Sequence, residues 1–84
     1  MLSEYIRRAM RRAHYEIMEN GCYWGEIPGL QGVWADGDAL EECRETLREA
    51  LEAWLVVGLR HGDMIPVVDG IDINPREEAE AVAD

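Results

Sequence analysis

The sequence predicts an α+β domain: a three- to four-stranded, mainly antiparallel sheet, one long helix packed on it, and an amphipathic helix in front. Three observations carry that expectation. Apolar residues recur at helical spacing from Leu40 to Gly58, a stripe of roughly five turns. Between residues 14 and 37, short alternating runs are separated by Asn20-Gly21, Pro28-Gly29 and Gln31-Gly32, pairs that favour turns. The first segment sets Leu2, Tyr5, Ile6, Ala9, Met10 and Ala13 on a single helical face.

Each element has its own local logic. In the first helix Ser3 is the expected N-cap and Glu4 sits in the first turn, where the helix dipole favours negative charge. Arg7, Arg8, Arg11 and Arg12 form a basic rim on its other side. From His14 to Glu19 the residues alternate, with Tyr15 and Ile17 facing one way and Glu16 the other. Asn20-Gly21 suits a two-residue type I′ turn, so Cys22 to Ile27 is the return strand. A loop around Leu30 follows, and Val33-Trp34-Ala35 opens a third strand.

Asp38 is the expected N-cap of the long helix, with Glu41 three residues on as its capping-box partner. Leu40, Cys43, Leu47, Ala50, Leu51, Trp54, Leu55 and Gly58 form its apolar stripe. Glu45, Arg48 and Glu52 lie at pairing distance on the solvent face. His61 and Gly62 make a stop. Beyond it Pro66 argues for an edge or an irregular lead-in, Asp69-Gly70 for a turn, and Ile71-Asp72-Ile73 for a short strand returning to the sheet. Residues 1–74 thus make one domain, and residues 75–84 an acidic tail or a short polar helix.

Composition narrows the function. A chain of 84 residues has room for one core and buries only about 60–65% of its unfolded surface, so self-association, as a homodimer or homotetramer, is a natural supplement. No apolar run is long enough to span a membrane and the N-terminus lacks a signal-peptide pattern, so the expected location is cytoplasmic. Cys22 and Cys43 match no metal spacing and are expected as free thiols, and no metal or cofactor is expected. The net charge of −10, with 18 acids and no lysine, divides unevenly: residues 1–12 sum to +3 and the rest to −13. Such a body repels phosphate backbones and suits a basic protein surface. Any nucleic-acid contact falls to Arg7, Arg8, Arg11 and Arg12, which are equally candidates for contacting a partner.

From Tyr23 to Cys43 the chain also resembles the HicB-like antitoxin family. Pro28 and Gly32 match that family's proline–glycine loop, and Gly37-Asp38 with Leu40-Glu41-Glu42 matches the start of its long helix. The likeness extends over about residues 14–66, through Leu51, Trp54-Leu55, Gly62 and Ile65-Pro66. Gln31 stands where the family has a second proline, and Gly25-Glu26 replaces a more apolar pair. The resemblance implies a partial RNase-H-like fold without nuclease activity, and a small basic HicA-like toxin that cleaves RNA as the partner. Many members append a DNA-binding domain, for which residues 75–84 are too short, so direct DNA binding is not expected.

An enzyme needs converging groups, and none are evident. Glu16, Glu19, Asp36 and Asp38 are the right types for metal-dependent nuclease chemistry, but Glu16 and Glu19 point to opposite sides and Asp38 is occupied as a cap. No catalytic residue is therefore assigned. The candidate partner-binding residues are Trp24, Glu26 and Trp34: aromatics anchor interfaces where exposed, although on strands they are more often core. The other reading is a stand-alone oligomeric module without a toxin.

Overall fold

The computed structural model describes residues 2–74, so the tail expected at 75–84 lies outside the described residues. The order is α1 (Leu2–Arg11), β1 (His14–Ile17), β2 (Tyr23–Glu26), β3 (Trp34–Gly37) and α2 (Leu40–His61). The strands form an antiparallel meander, β1-β2-β3, so the expected α+β class holds with three strands rather than four. Ile71 does not return to the sheet. It pairs only with Val68, in an isolated bridge across Asp69-Gly70.

Two turns exchange the roles expected of them. At residues 18–22 Gly21 is left-handed (φ 88°) but Asn20 is not, and the Gly21 N–H donates to the Met18 carbonyl at 2.9 Å. This is the three-residue loop of a type I turn closed by a left-handed glycine, not the two-residue type I′ turn. The type I′ pattern occurs instead at Asp69-Gly70, where both residues have positive φ (49° and 79°) between the paired Val68 and Ile71.

The helix starts are displaced as well. α1 begins at Leu2, which places Ser3 inside its first turn rather than at the cap. α2 begins at Leu40 with Ala39 in the cap position and no side-chain cap bond. Asp38 is thus not the cap: its N–H is instead met by Glu42 at 3.2 Å, a reach-back one residue later than the expected Glu41. The C-terminus follows expectation. Gly62 is left-handed (φ 75°) and the Asp63 N–H returns to the Gly58 carbonyl at 2.9 Å, the cross-bonding of a Schellman stop. On the solvent face Arg48 pairs with Glu52 rather than Glu45 among the described residues.

The core lies between the sheet and α2. Cys43, Leu47, Leu51 and Leu55 are buried along the helix against Ala35, Ile27 and Val33. Burial of each such leucine is worth about 1.5–3 kcal/mol. Strand register explains how α2 comes so close. Tyr15, Gly25 and Ala35 are laterally paired and therefore share a face. An added Cβ on Gly25 would lie 3.1 Å from Cys43 Sγ, and one on Gly37 would lie 2.8 Å from the backbone nitrogen of Cys43. α1 packs beside α2 rather than across the sheet, burying Tyr5, Ile6 and Ala9, and the Tyr5 hydroxyl donates to the Pro66 carbonyl at 2.7 Å. The opposite face of the sheet is left without a covering element among the described residues.

Candidate functional site

The uncovered face is the candidate site. Because Gly25 points at α2, its strand neighbours Trp24 and Glu26 point away from it. Lateral pairing of Glu16 with Trp24 and Asp36, and of His14 with Glu26 and Trp34, assigns all six to the open side. Trp24 and Trp34 occupy diagonal positions on adjacent strands, a spacing aromatic rings can bridge. Their rings stack at 4.6 Å between centroids and 9° between planes. The Trp24 indole N–H donates to Glu26 Oε1 at 3.2 Å, which fixes the outer ring edge against a carboxylate. Trp34 is 51% exposed, so the stack faces solvent and neither tryptophan belongs to the core.

A folded loop frames one end of this face. The Leu30 N–H donates to the Ile27 carbonyl at 3.1 Å and the Val33 N–H to the Leu30 carbonyl at 3.2 Å, making two consecutive turns. Gly29 and Gly32 take positive φ (89° and 95°) at the third positions of these turns, and Pro28 presets the second position of the earlier one, as type II turns require. Ile27, Leu30 and Val33 thereby point into the core every third residue, while Pro28, Gly29, Gln31 and Gly32 stay exposed. Between loop and tryptophans lies an open groove of about 460 Å³.

Electrostatically the face is acidic, because Glu16, Glu26 and Asp36 are exposed on it with only His14 as a potential cation. At its far end the Cys22 thiol donates to Asp38 Oδ1 at 3.3 Å, and the carboxylate raises the thiol's pKa. Cys22 and Cys43 are both free thiols. Among the described residues no three His, Cys, Asp or Glu side chains gather closely enough to hold a metal ion.

The structure thus joins Trp24, Glu26 and Trp34 into one patch and divides the arginines. Arg8 and Arg7 both bond Glu4, and Arg12 reaches Asp69 at 2.6 Å with Arg8 at 3.8 Å, so three of the four rim arginines are engaged within the chain. Arg11 makes no such pair among the described residues and, with Arg7, lines a cleft against α2. Glu16 and Asp36 were not singled out as site residues. Two-residue alternation from Trp34 places Asp36 on the tryptophan side, a signal the sequence carries.

A family model described as UPF0150-like matches residues 4–66, from α1 through the exit of α2 and thus including every residue of the open face. The chain belongs to the UPF0150-like family. That family includes small proteins of the HicB-like antitoxin type. The UPF0150-like chain is also similar to a solved structure, that of TTHA0281 from Thermus thermophilus. The two share 42% identity and a TM-score of 0.83, over 89% of this chain and 94% of the other. No curated protein matches it. No helix among the described residues is long and apolar enough to cross a membrane.

Proposed function

We propose that this UPF0150-like protein is a HicB-like antitoxin that binds and neutralises a small basic RNA-cleaving toxin through the open face of its sheet. The observation that carries the reading is the exposed Trp24–Trp34 stack set among Glu16, Glu26 and Asp36. Rigid stacked aromatics supply apolar contact area at little entropic cost, and tryptophan is enriched among residues that dominate binding energy. Surrounding carboxylates steer a basic partner and oppose an acidic one. A protein that recognises RNA presents a basic surface, and an acidic face with an aromatic centre occupies it competitively. The family's antitoxin-type members and the resemblance at Pro28, Gly32 and Gly37-Asp38 support the same direction. The partial RNase-H-like arrangement belongs to this reading: the chain supplies a nuclease-like scaffold as a cover.

The test is purification of the tagged chain with whatever it retains in its host, followed by isolation of the retained protein. The reading expects a basic protein of similar size that cleaves RNA alone and is inhibited by the wild-type chain at equal stoichiometry. Trp24→Ala with Glu26→Arg is expected to abolish inhibition while circular dichroism and Tm stay near wild type. A retained protein without RNA-cleaving activity, or inhibition that survives the double substitution, refutes it. The stand-alone oligomeric module draws on the same exposed stack, as a contact between copies. Trp24→Ala then changes the sedimentation state of the isolated chain.

A further inference from the structure

Beyond the open face, α1 and α2 border a second cleft, open to solvent, of about 580 Å³. Arg7 and Arg11 of α1 and Arg44 and Arg48 of α2 line it, together with Glu41 and Glu45. Each arginine pair has i,i+4 spacing, so each stands as two successive turns of one helix face, and the two faces are opposed. Half of the chain's eight arginines meet in this cleft although the protein carries −10 overall.

Their pairing sharpens the point. Arg48 is held loosely by Glu52 at 3.9 Å, and Arg7 is bonded by Glu4. Arg11 and Arg44 are paired with no carboxylate among the described residues, in a chain with more than twice as many acids as arginines. Two unpaired guanidinium groups bordering one cavity leave planar donor forks free, the geometry that fits an oxyanion through paired hydrogen bonds. Glu4 and Glu52 hold Arg7 and Arg48, so the free donors of the lining are Arg11 and Arg44, with Glu41 and Glu45 beside them. Ile6 and Met10 supply an apolar part of the wall, and the volume lies in the range of small-ligand sites.

We propose that the cleft between α1 and α2 binds a small phosphate-bearing ligand, a diphosphate or a nucleotide, through Arg11 and Arg44 with Arg7 and Arg48 beside them. The ligand bridges two helices, so its binding also fastens α1 to the domain. This site is independent of the tryptophan face and stands whether or not that face binds a toxin.

Titration calorimetry of the full chain at low salt, with pyrophosphate and with ADP, tests the proposal. Saturable binding is expected, together with a rise in Tm on adding pyrophosphate. Arg11→Gln with Arg44→Gln is expected to weaken binding by at least about tenfold, since each charge-assisted contact contributes on that scale. Arg60→Gln, an exposed arginine outside the cleft, leaves affinity unchanged. Glu45→Gln, which removes a like charge from the lining, tightens binding and keeps the test decisive if the double variant folds poorly. ADP binding more tightly than pyrophosphate assigns a nucleotide, and equal affinities assign the diphosphate group alone. No binding of either probe, an equal loss in Arg60→Gln, or affinity confined to RNA overturns the proposal.

Discussion

The two faces of the sheet are built from the same three four-residue strands and differ in where they carry volume. On the helix side, Gly25, Ala35 and Gly37 are small, and this smallness lets α2 lie directly on the strands. On the open side Trp24 and Trp34 are the largest residues of the sheet, and they stack on each other with no element above them. The two tryptophans of the sheet therefore lie outside the core. The core is made by the helix leucines descending onto a flattened floor, and the tryptophans are surplus to it.

The comparison breaks most easily from the covered side. Leu51 is fully buried in the centre of α2, and Leu51→Ala removes its methyl groups from a floor that has no bulk with which to collapse. A loss of about 2–5 kcal/mol is expected by denaturant titration. Gly37→Ala tests the floor itself. Its added Cβ meets the backbone of Cys43 at 2.8 and 3.0 Å, atoms that cannot rotate aside, so α2 must lift locally. The expected cost is about 1–3 kcal/mol, and a cost near zero indicates that α2 is not seated as described.

A smaller effect with the opposite sign comes from Tyr15, at the margin of the same floor. Its hydroxyl is buried without a hydrogen-bond partner, and burial raises its pKa. Cys43 and Tyr5 are also raised by burial. A raised folded-state pKa means that stability is complete while both states are protonated and declines as the unfolded chain begins to release protons. Stability should therefore fall from about pH 8.5 upward. Tyr15→Phe removes both the unpaired hydroxyl and its titration. It should leave stability at neutral pH unchanged or raised by about 1 kcal/mol and flatten the alkaline decline. A loss at neutral pH shows that the hydroxyl has a partner after all.

How much of this was legible in the sequence follows from which forces act locally. α2 and its stop at Gly62 were readable because a long apolar stripe and a left-handed glycine admit few alternatives. The hairpin between β1 and β2 was readable in place but not in type, because Asn-Gly serves a two-residue turn and a three-residue turn with a final glycine equally well. Ile71-Asp72-Ile73 alternates like a strand, yet Asn74 closes back on Ile65, accepting from its N–H at 2.6 Å and donating to its carbonyl at 2.7 Å, and the segment folds upon itself. That bond is tertiary and has no local signature. The site was half legible for a similar reason. Trp24 and Glu26 share a face by alternation alone, but whether that face is core or surface depends on which side α2 chooses. Gly25 decides it, as a missing side chain opposite Cys43.

The same logic fixes the smallest effect, on the open face. Trp34 loses little on folding because it remains half exposed, and its contribution is the contact with Trp24. Aromatic stacking of this kind is worth about 0.5–1.5 kcal/mol beyond area burial. Trp34→Ala is therefore expected to lower folding stability by no more than about 1 kcal/mol, well below Leu51→Ala despite deleting a far larger side chain. Its circular dichroism should lose the coupled aromatic signal of two parallel indoles while the helical signal persists. A loss as large as that of Leu51→Ala shows that the tryptophans carry the fold. The small loss expected here leaves them free for a partner.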